Sequence, residues 1–454
     1  MITSGRRFAS FAPKGKLYYY PNSSRVADDG STPGPGPPGP DLQFVAPQLK
    51  ELIRVSGSKE SPVTGVTLRG LELRDTAVTY LEPHGMPSGG DWALQRTAAV
   101  FVEGAEGFVL DSCRLVRLDG NAVMLSSYVR DAVITRSEFA WTGATAIAQW
   151  GDTEGAGVPE SYGMGWDGRA GRQPRNTTVS LNLVRELGIW EKQSAAYFQA
   201  KSMLNTLHGN ILFNGPRAGV NLNDGFGGGS MLDHNLIFGF CRESGDHGPI
   251  NAWDRQVYVT EHTDPSPGGA WKLVDEIRAN LVIADYDSEE AVDTDDGSAY
   301  YDVSHNLFAY GNGGLKSDYG GHDNRHHHNV YAFITHGKCV SITPQAPNHT
   351  DGFHDNVCVF QTRPDWTPAY AEYYCNTSSQ YTAEVYALPD MHDNRVWQQG
   401  ANGSVRCLAM AFWDANWTAL ERWQELGHDI GTVVKNTSDL DTGWLLDYAV
   451  GLLA

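Results

Sequence analysis

Ten short segments of one kind recur along the chain: VTLRGLEL, FVLDSCRL, AVITRSEF, TVSLNLV, TLHGNILF, LDHNLIF, IRANLVI, VSHNLFA, HHHNVYA and FHDNVCV. Each alternates apolar and polar residues with the period of a strand. One position is equivalent in all of them: Leu71, Cys113, Ser137, Asn182, Asn210, Asn235, Asn280, Asn306, Asn329 and Asn356. The steps between these anchors are roughly 23 to 28 residues, or about 45 where a coil carries an excursion, a period that belongs to solenoids. Seven of the ten anchors are asparagine. An amide repeated at one place in every coil can bond to the backbone of the next coil and so build a ladder inside a turn. The expected fold is therefore all-β, a right-handed single-stranded parallel β-helix with an Asn ladder.

A second strand follows most anchors. Aligned, these read AVMLSS from Ala122, AIAQWG from Ala146, AYFQAK from Ala196, GVNLND from Gly219, PINAWD from Pro249, AVDTDD from Ala291 and GLKSDY from Gly314. The second position is apolar, and the third and fifth drift to polar, so alternation turns the former to the core and the latter to solvent. Residues 1–60 read as N-terminal strands and a Pro/Gly-rich loop, ADDGSTPGPGPPGP, leading into the solenoid. Residues 61–360 read as the β-helix, and residues 361–454 as irregular coils with a capping segment, LERWQELGHDIGTVV, that holds a helical turn or two before a Gly stop.

Composition narrows the partners. A formal charge of -20, from 34 Lys+Arg against 54 Asp+Glu, argues against nucleic acid or an anionic membrane, which need clustered basic surface. No apolar run approaches the roughly 20 residues of a membrane span. Abundant Gly, Tyr and Trp suit turns, strands and stacking surfaces for carbohydrate. Sequons at Asn22, Asn176, Asn348, Asn376, Asn402, Asn416 and Asn436, with four late cysteines (Cys339, Cys358, Cys375, Cys407), point to a secreted monomer whose signal peptide is absent from this chain.

Equivalent outward residues in neighbouring coils are spatial neighbours about 4.8 Å apart. The early coils present bland residues: Met124, Ser126, Ala148 and Phe198. Four later coils present Asn221, Asn223 and Asp224; Asn251, Trp253 and Asp254; Asp293, Asp295 and Asp296; and Lys316 and Asp318. Crowded carboxylates raise at least one pKa, and glycoside hydrolysis needs one protonated and one ionised carboxyl. Asp254 and Asp295 are the preferred catalytic pair, with Asp246, Asp296 and Asp318 as substitutes or supports. Trp253 and Tyr319 offer stacking faces, while Asn221, Asn223, Asp224 and Asn251 offer polar contacts for hydroxyls. His247, Lys316, His322 and Arg325 complete the substrate-binding set. The HHH at 326–328 does not imply a metal site, because alternation sends neighbouring side chains to opposite faces. GFGGGS (225–230) lacks the Lys-Ser/Thr ending of a phosphate loop and reads as a tight corner.

The order GKLYYYP, PVTGVTLRGLELRDT, RLDGNAV, ESGDHGPINAWDR, DTDDGSAYYDVSHN and LKSDYGGHDN resembles right-handed β-helix proteins of the pectate-lyase-like superfamily. Within that group it is most similar to the β-helical glycoside hydrolases that include α-L-fucosidases and xylanases. The resemblance implies catalytic aspartates on the sheet face, matched here to Asp254 and Asp295. It implies cleavage of a complex cell-wall or algal polysaccharide with no required cofactor. Two alternatives stay open. One is a Ca²⁺-dependent polysaccharide lyase or epimerase on uronates, with Lys316 or Arg325 at the C5 proton. The other is a noncatalytic glycan-binding β-helix.

Overall fold

The computed structural model describes residues 7–11, 16–20, 45–87, 92–154, 167–223, 227–253, 273–284, 286, 288–317, 320–335, 339–342, 349–361, 389–399, 406–411, 414–425 and 427–453. The chain divides into two units, Met1–Gln48 and Leu49–Ala454. In the first, Arg7–Phe11 pairs antiparallel with Lys16–Tyr20. The second is a parallel β-helix.

Most coils of the second unit contribute one strand to each of three long sheets. The first sheet stacks Ile53–Ser56, Val100–Glu106, Val123–Arg130, Ile147–Trp150, Tyr197–Ala200, Val220–Leu222, Ile250–Trp253 and Val292–Asp295 in parallel. The second runs from Thr67–Arg69 to Asp390–His392, and the third from Glu72–Arg74 to Val433–Asn436. A further parallel pair, Leu315–Ser317 with Val340–Ile342, carries the coils of the first sheet onward. Alternation assigns the faces as the sequence indicates. Val100, Val123, Ile147, Tyr197, Val220, Ile250 and Val292 pair in one register column and are all buried in the core. Burying each such side chain contributes about 1.5–3 kcal/mol.

The corner between the second and third sheets is one residue in the left-handed region followed by the anchor. The corner residues include Leu181, His234, Ala279, His305, His328, Asp355 and Asp393, with φ between 52° and 58°. A side-chain-bearing residue there costs roughly 1–2 kcal/mol, and the anchor amides offset it. Asn280 Oδ1 accepts from the backbone N–H and the side-chain Nδ2 of Asn235, both at 3.0 Å. Asn280 Nδ2 donates to the Leu232 carbonyl at 2.9 Å and to Asn306 Oδ1 at 3.0 Å. The same bonding runs through Asn182, Asn210, Asn235, Asn306, Asn329 and Asn356. It begins where Ser137 N–H donates to Asn182 Oδ1 and ends where Asn394 N–H donates to Thr432 Oγ1.

The coils thus continue beyond residue 360, where the sequence repeat fades, because Asn394 and Thr432 take the anchor position after longer excursions. The expected capping helix is Leu420–Glu425, followed by Gly427 at φ 90°. A second helix, Gly443–Leu453, was not foreseen from the strand pattern. Its Leu445 packs on Leu281, Leu307, Val330 and Ala332 outside the third sheet. Of the four late cysteines, Cys339 and Cys358 form a disulfide, while Cys375 lies outside the described residues. Cys113 and Cys241 are buried thiols.

Candidate active site

On the outer face of the first sheet, the register column continues Phe101, Met124, Ala148, Phe198, Asn221, Asn251 and Asp293. Its early members are sealed. Phe101, Met124, Ala148 and Phe198 form a buried cluster with Trp150 of the same sheet and with Trp92 and Leu94, which precede Phe101 in the chain. The polar members follow, and Arg217 stands at the boundary. Its guanidinium lies 4.6 Å from the centre of the Trp92 ring, and Nη2 is 3.2 Å from His247 Nδ1.

The sequence turns Asn221, Asn223, Asn251 and Asp293 to solvent. In the structure they point away from the core yet are buried, as are Trp253 and Asp296. Trp253 Nε1 donates to Asp296 Oδ2 at 3.3 Å, so its indole is held within the packing. Asp295, paired in register with Trp253, keeps contact with the surface at 25% side-chain exposure, as does Glu289 at 39%. Lys316, 9% exposed, links these groups. Its Nζ lies 2.9 Å from Asp293 Oδ1, 3.0 Å from Glu289 Oε2 and 3.5 Å from Asp295 Oδ1.

The electrostatics follow from this packing. Burial drives the Asp293 carboxyl well above the usual carboxylate range; Lys316 opposes the shift, and Glu290 and Asp295 reinforce it. Burial alone would lower Lys316, but Asp293, Glu290 and Asp295 push it up, so its ammonium stays charged. The amide of Asn251 fits either protonation state of Asp293. Asn221 Nδ2 donates to Asn223 Oδ1 at 3.0 Å, and Asn251 Nδ2 donates to Asn221 Oδ1 at 3.1 Å. That leaves the Asn251 carbonyl oxygen 3.2 Å from Asp293 Oδ2, where a carboxylic O–H can donate to it. With an ionised Asp293 the Asn251 amide turns over and donates instead. The orientation of Asn251 is thereby tied to the proton on Asp293.

His247 is buried beside this group, with Nε2 2.9 Å from Ser244 Oγ. Burial, then the positive charges of Arg217 and Lys316, lowers its pKa to about 3. It is neutral near pH 7, accepting from Arg217 at Nδ1 and donating from Nε2.

The structure therefore brings together Asn221, Asn223, Asn251, Asp293, Asp295 and Lys316, with Trp253, Asp296 and His247 alongside. Asp246 is exposed in the turn before His247. Asp224, Asp254, Asp318 and Tyr319 lie outside the described residues. Arg325 is apart: it is an exposed residue of the second sheet, paired with Asp302 and Gly352. His322 sits at the corner leading into that sheet, its ring edge-on to Tyr300. Sequence reasoning missed Glu289 and Glu290, which form part of the electrostatic surroundings of Lys316. Their signal was their place in SEEAVDTDD, in the corner directly before the acidic strand.

No family model and no curated protein matches the chain. Among solved structures it is similar to a glycoside hydrolase at 13% identity and TM-score 0.42, over 68% of this chain and 51% of that one. It is also similar to the periplasmic alginate epimerase AlgG at 10% identity and TM-score 0.31, over 67% of this chain and 71% of that one. The chain spans about half the length of the glycoside hydrolase.

Proposed function

We propose that the chain is a secreted carbohydrate-active enzyme, a glycoside hydrolase acting on a complex polysaccharide, with Asp295 as a carboxylate that meets the substrate. The observation that carries this reading is the partly exposed Asp295 beside a charged Lys316 that is itself held by the buried Asp293 and the partly exposed Glu289. Hydrolysis of a glycosidic bond needs carboxyl groups kept in different protonation states by their surroundings. Lys316 favours the ionised form of Asp295, while burial favours a neutral Asp293. Asp254 is proposed as the partner of Asp295. Asp293, Glu289 and Lys316 act through Asp295 as positioning residues. The Cys339–Cys358 disulfide favours an oxidising compartment, and among the described residues no helix is long and apolar enough to cross a membrane.

The lyase or epimerase reading draws less support. Its base would have to give up a proton near neutral pH, and Lys316 is shifted the opposite way. Arg325 lies on another sheet. The positive charge among the carboxylates is supplied by Lys316, where a calcium-dependent lyase would use a divalent cation.

The test is incubation of the purified chain with neutral, fucosylated and uronate-containing polysaccharides, following reducing ends together with the ultraviolet absorbance of unsaturated uronates. New reducing ends without that absorbance are expected. Absorbance rising with every cut would replace the hydrolase by a lyase. Binding to a polysaccharide without cleavage would replace it by a noncatalytic module.

A further inference from the structure

We propose that His322, Asp323 and His349 form a binding site for a divalent transition ion of the zinc class, at the corner between the first and second sheets. His322 Nδ1 lies 2.9 Å from Asp323 Oδ2, and His349 Nδ1 lies 2.5 Å from the same oxygen. The two imidazole centres are 4.1 Å apart. Two nitrogens and one carboxylate oxygen converge on one small region. The three donor atoms lie within 4.8 Å of one another, close enough to move onto the roughly 3.3–3.6 Å edges of a tetrahedron whose bonds are about 2.0–2.2 Å long. Two imidazoles with one carboxylate is also a donor set suited to zinc and its first-row neighbours, and poorly suited to calcium or magnesium.

The fold holds these side chains in place before any ion arrives. His322 and His349 each stand two residues before a buried polar residue of the same corner, Asn324 and Asp351, and Asn324 N–H donates to Asp351 Oδ1 at 2.8 Å. Asn324 Nδ2 donates to the Ser298 carbonyl at 2.9 Å. The two histidines are therefore stacked equivalents in adjacent coils. Asp323, between His322 and Asn324, has φ 55°, which leaves its carboxylate beside both rings.

Two other histidine groups also gather donor atoms within 4.8 Å, but in neither do both rings meet one carboxylate oxygen at hydrogen-bond distance. His208 and His234 contact opposite oxygens of Asp233. His354 and His392 each bond their own neighbour, Asp355 and Asp393, and their rings lie parallel, 4.6 Å apart.

The experiment titrates the full chain, freed of metal with a chelator and dialysed, with Zn²⁺ by calorimetry, and with Co²⁺ by visible absorption. Wild type, His349→Gln, Asp323→Asn and His392→Gln are compared, with circular dichroism to check each fold. The site predicts one tight equivalent that weakens roughly tenfold or more, about 1.4 kcal/mol, in His349→Gln and in Asp323→Asn, and is unchanged in His392→Gln. Equal affinity in wild type, His349→Gln and Asp323→Asn overturns the proposal. So does loss of binding in His392→Gln alone. These readouts need no enzymatic activity, so they stand or fall separately from the hydrolase reading.

Discussion

Lys316 Nζ lies 2.9 Å from the fully buried Asp293, on the coil above it, and the same ammonium reaches Glu289 and Asp295. One cation thus keeps a cluster of carboxylates together on a face of the β-helix whose earlier coils are sealed by apolar side chains. Removing it leaves the buried Asp293 Oδ1 without a polar partner and Glu289 and Asp295 without their shared cation. Lys316→Met is expected to cost about 1–3 kcal/mol in urea unfolding, the range for a buried polar group left unpaired. Adding Asp293→Asn to that variant recovers part of the loss, giving a favourable coupling in a double-mutant cycle.

The histidines set an acid limit. His247 and His326 are held to pKa values of about 3 chiefly by burial, against 6.5 in an unfolded chain. Between about pH 6.5 and pH 3 the unfolded chain takes up protons that the folded one refuses, so their contribution to stability is complete above that window and is lost as pH falls through it. Asp293, shifted upward, acts in the opposite sense: its contribution is present at low pH and declines as pH rises through its folded pKa. Urea midpoints are expected to fall on acidification from about pH 7 to about pH 4.5. The slope should be shallower in His326→Gln.

Asn280 sits in the middle of the ladder with no exposed surface. Asn280→Ala leaves the Asn235 N–H and the Leu232 carbonyl without their buried partner. The expected destabilisation is about 3 kcal/mol, since each buried group left unsatisfied costs roughly 1–3 kcal/mol. Equilibrium denaturation checks it, with the exposed Arg325→Ala as a comparison expected to change stability by less than about 0.5 kcal/mol.

How much of this was legible beforehand divides along one physical line. The ladder residues Asn182 to Asn356 were readable because each coil spends a buried amide at the same place, and the apolar column from Val123 to Val292 because alternation is local. Burial of the outward face was not readable. The outward faces of Phe101, Met124 and Phe198 are covered by Trp92 and Leu94, and Asp293 by Lys316 from the next coil, and strand alternation carries no information about such cover. Lys316 was legible as a cation near the stripe, but its grip on Glu289 required the register between coils. Asn394 and Thr432 continue the ladder after excursions long enough to hide the period.

The Cys339–Cys358 disulfide links residues 19 apart near the C-terminal end of the described coils. Closing a loop of that size is worth about 3 kcal/mol in the chain-entropy view. Reduction, or Cys339→Ser with Cys358→Ser, should lower stability by about that amount in thermal unfolding.

The most direct test is the initial rate of reducing-end release by Asp295→Asn, on whichever polysaccharide the wild-type chain cleaves, with circular dichroism and substrate binding measured alongside. A folded variant that binds substrate yet turns it over at least about a hundredfold more slowly is the predicted result. A rate within about twofold of wild type contradicts the assignment of Asp295 to the chemistry.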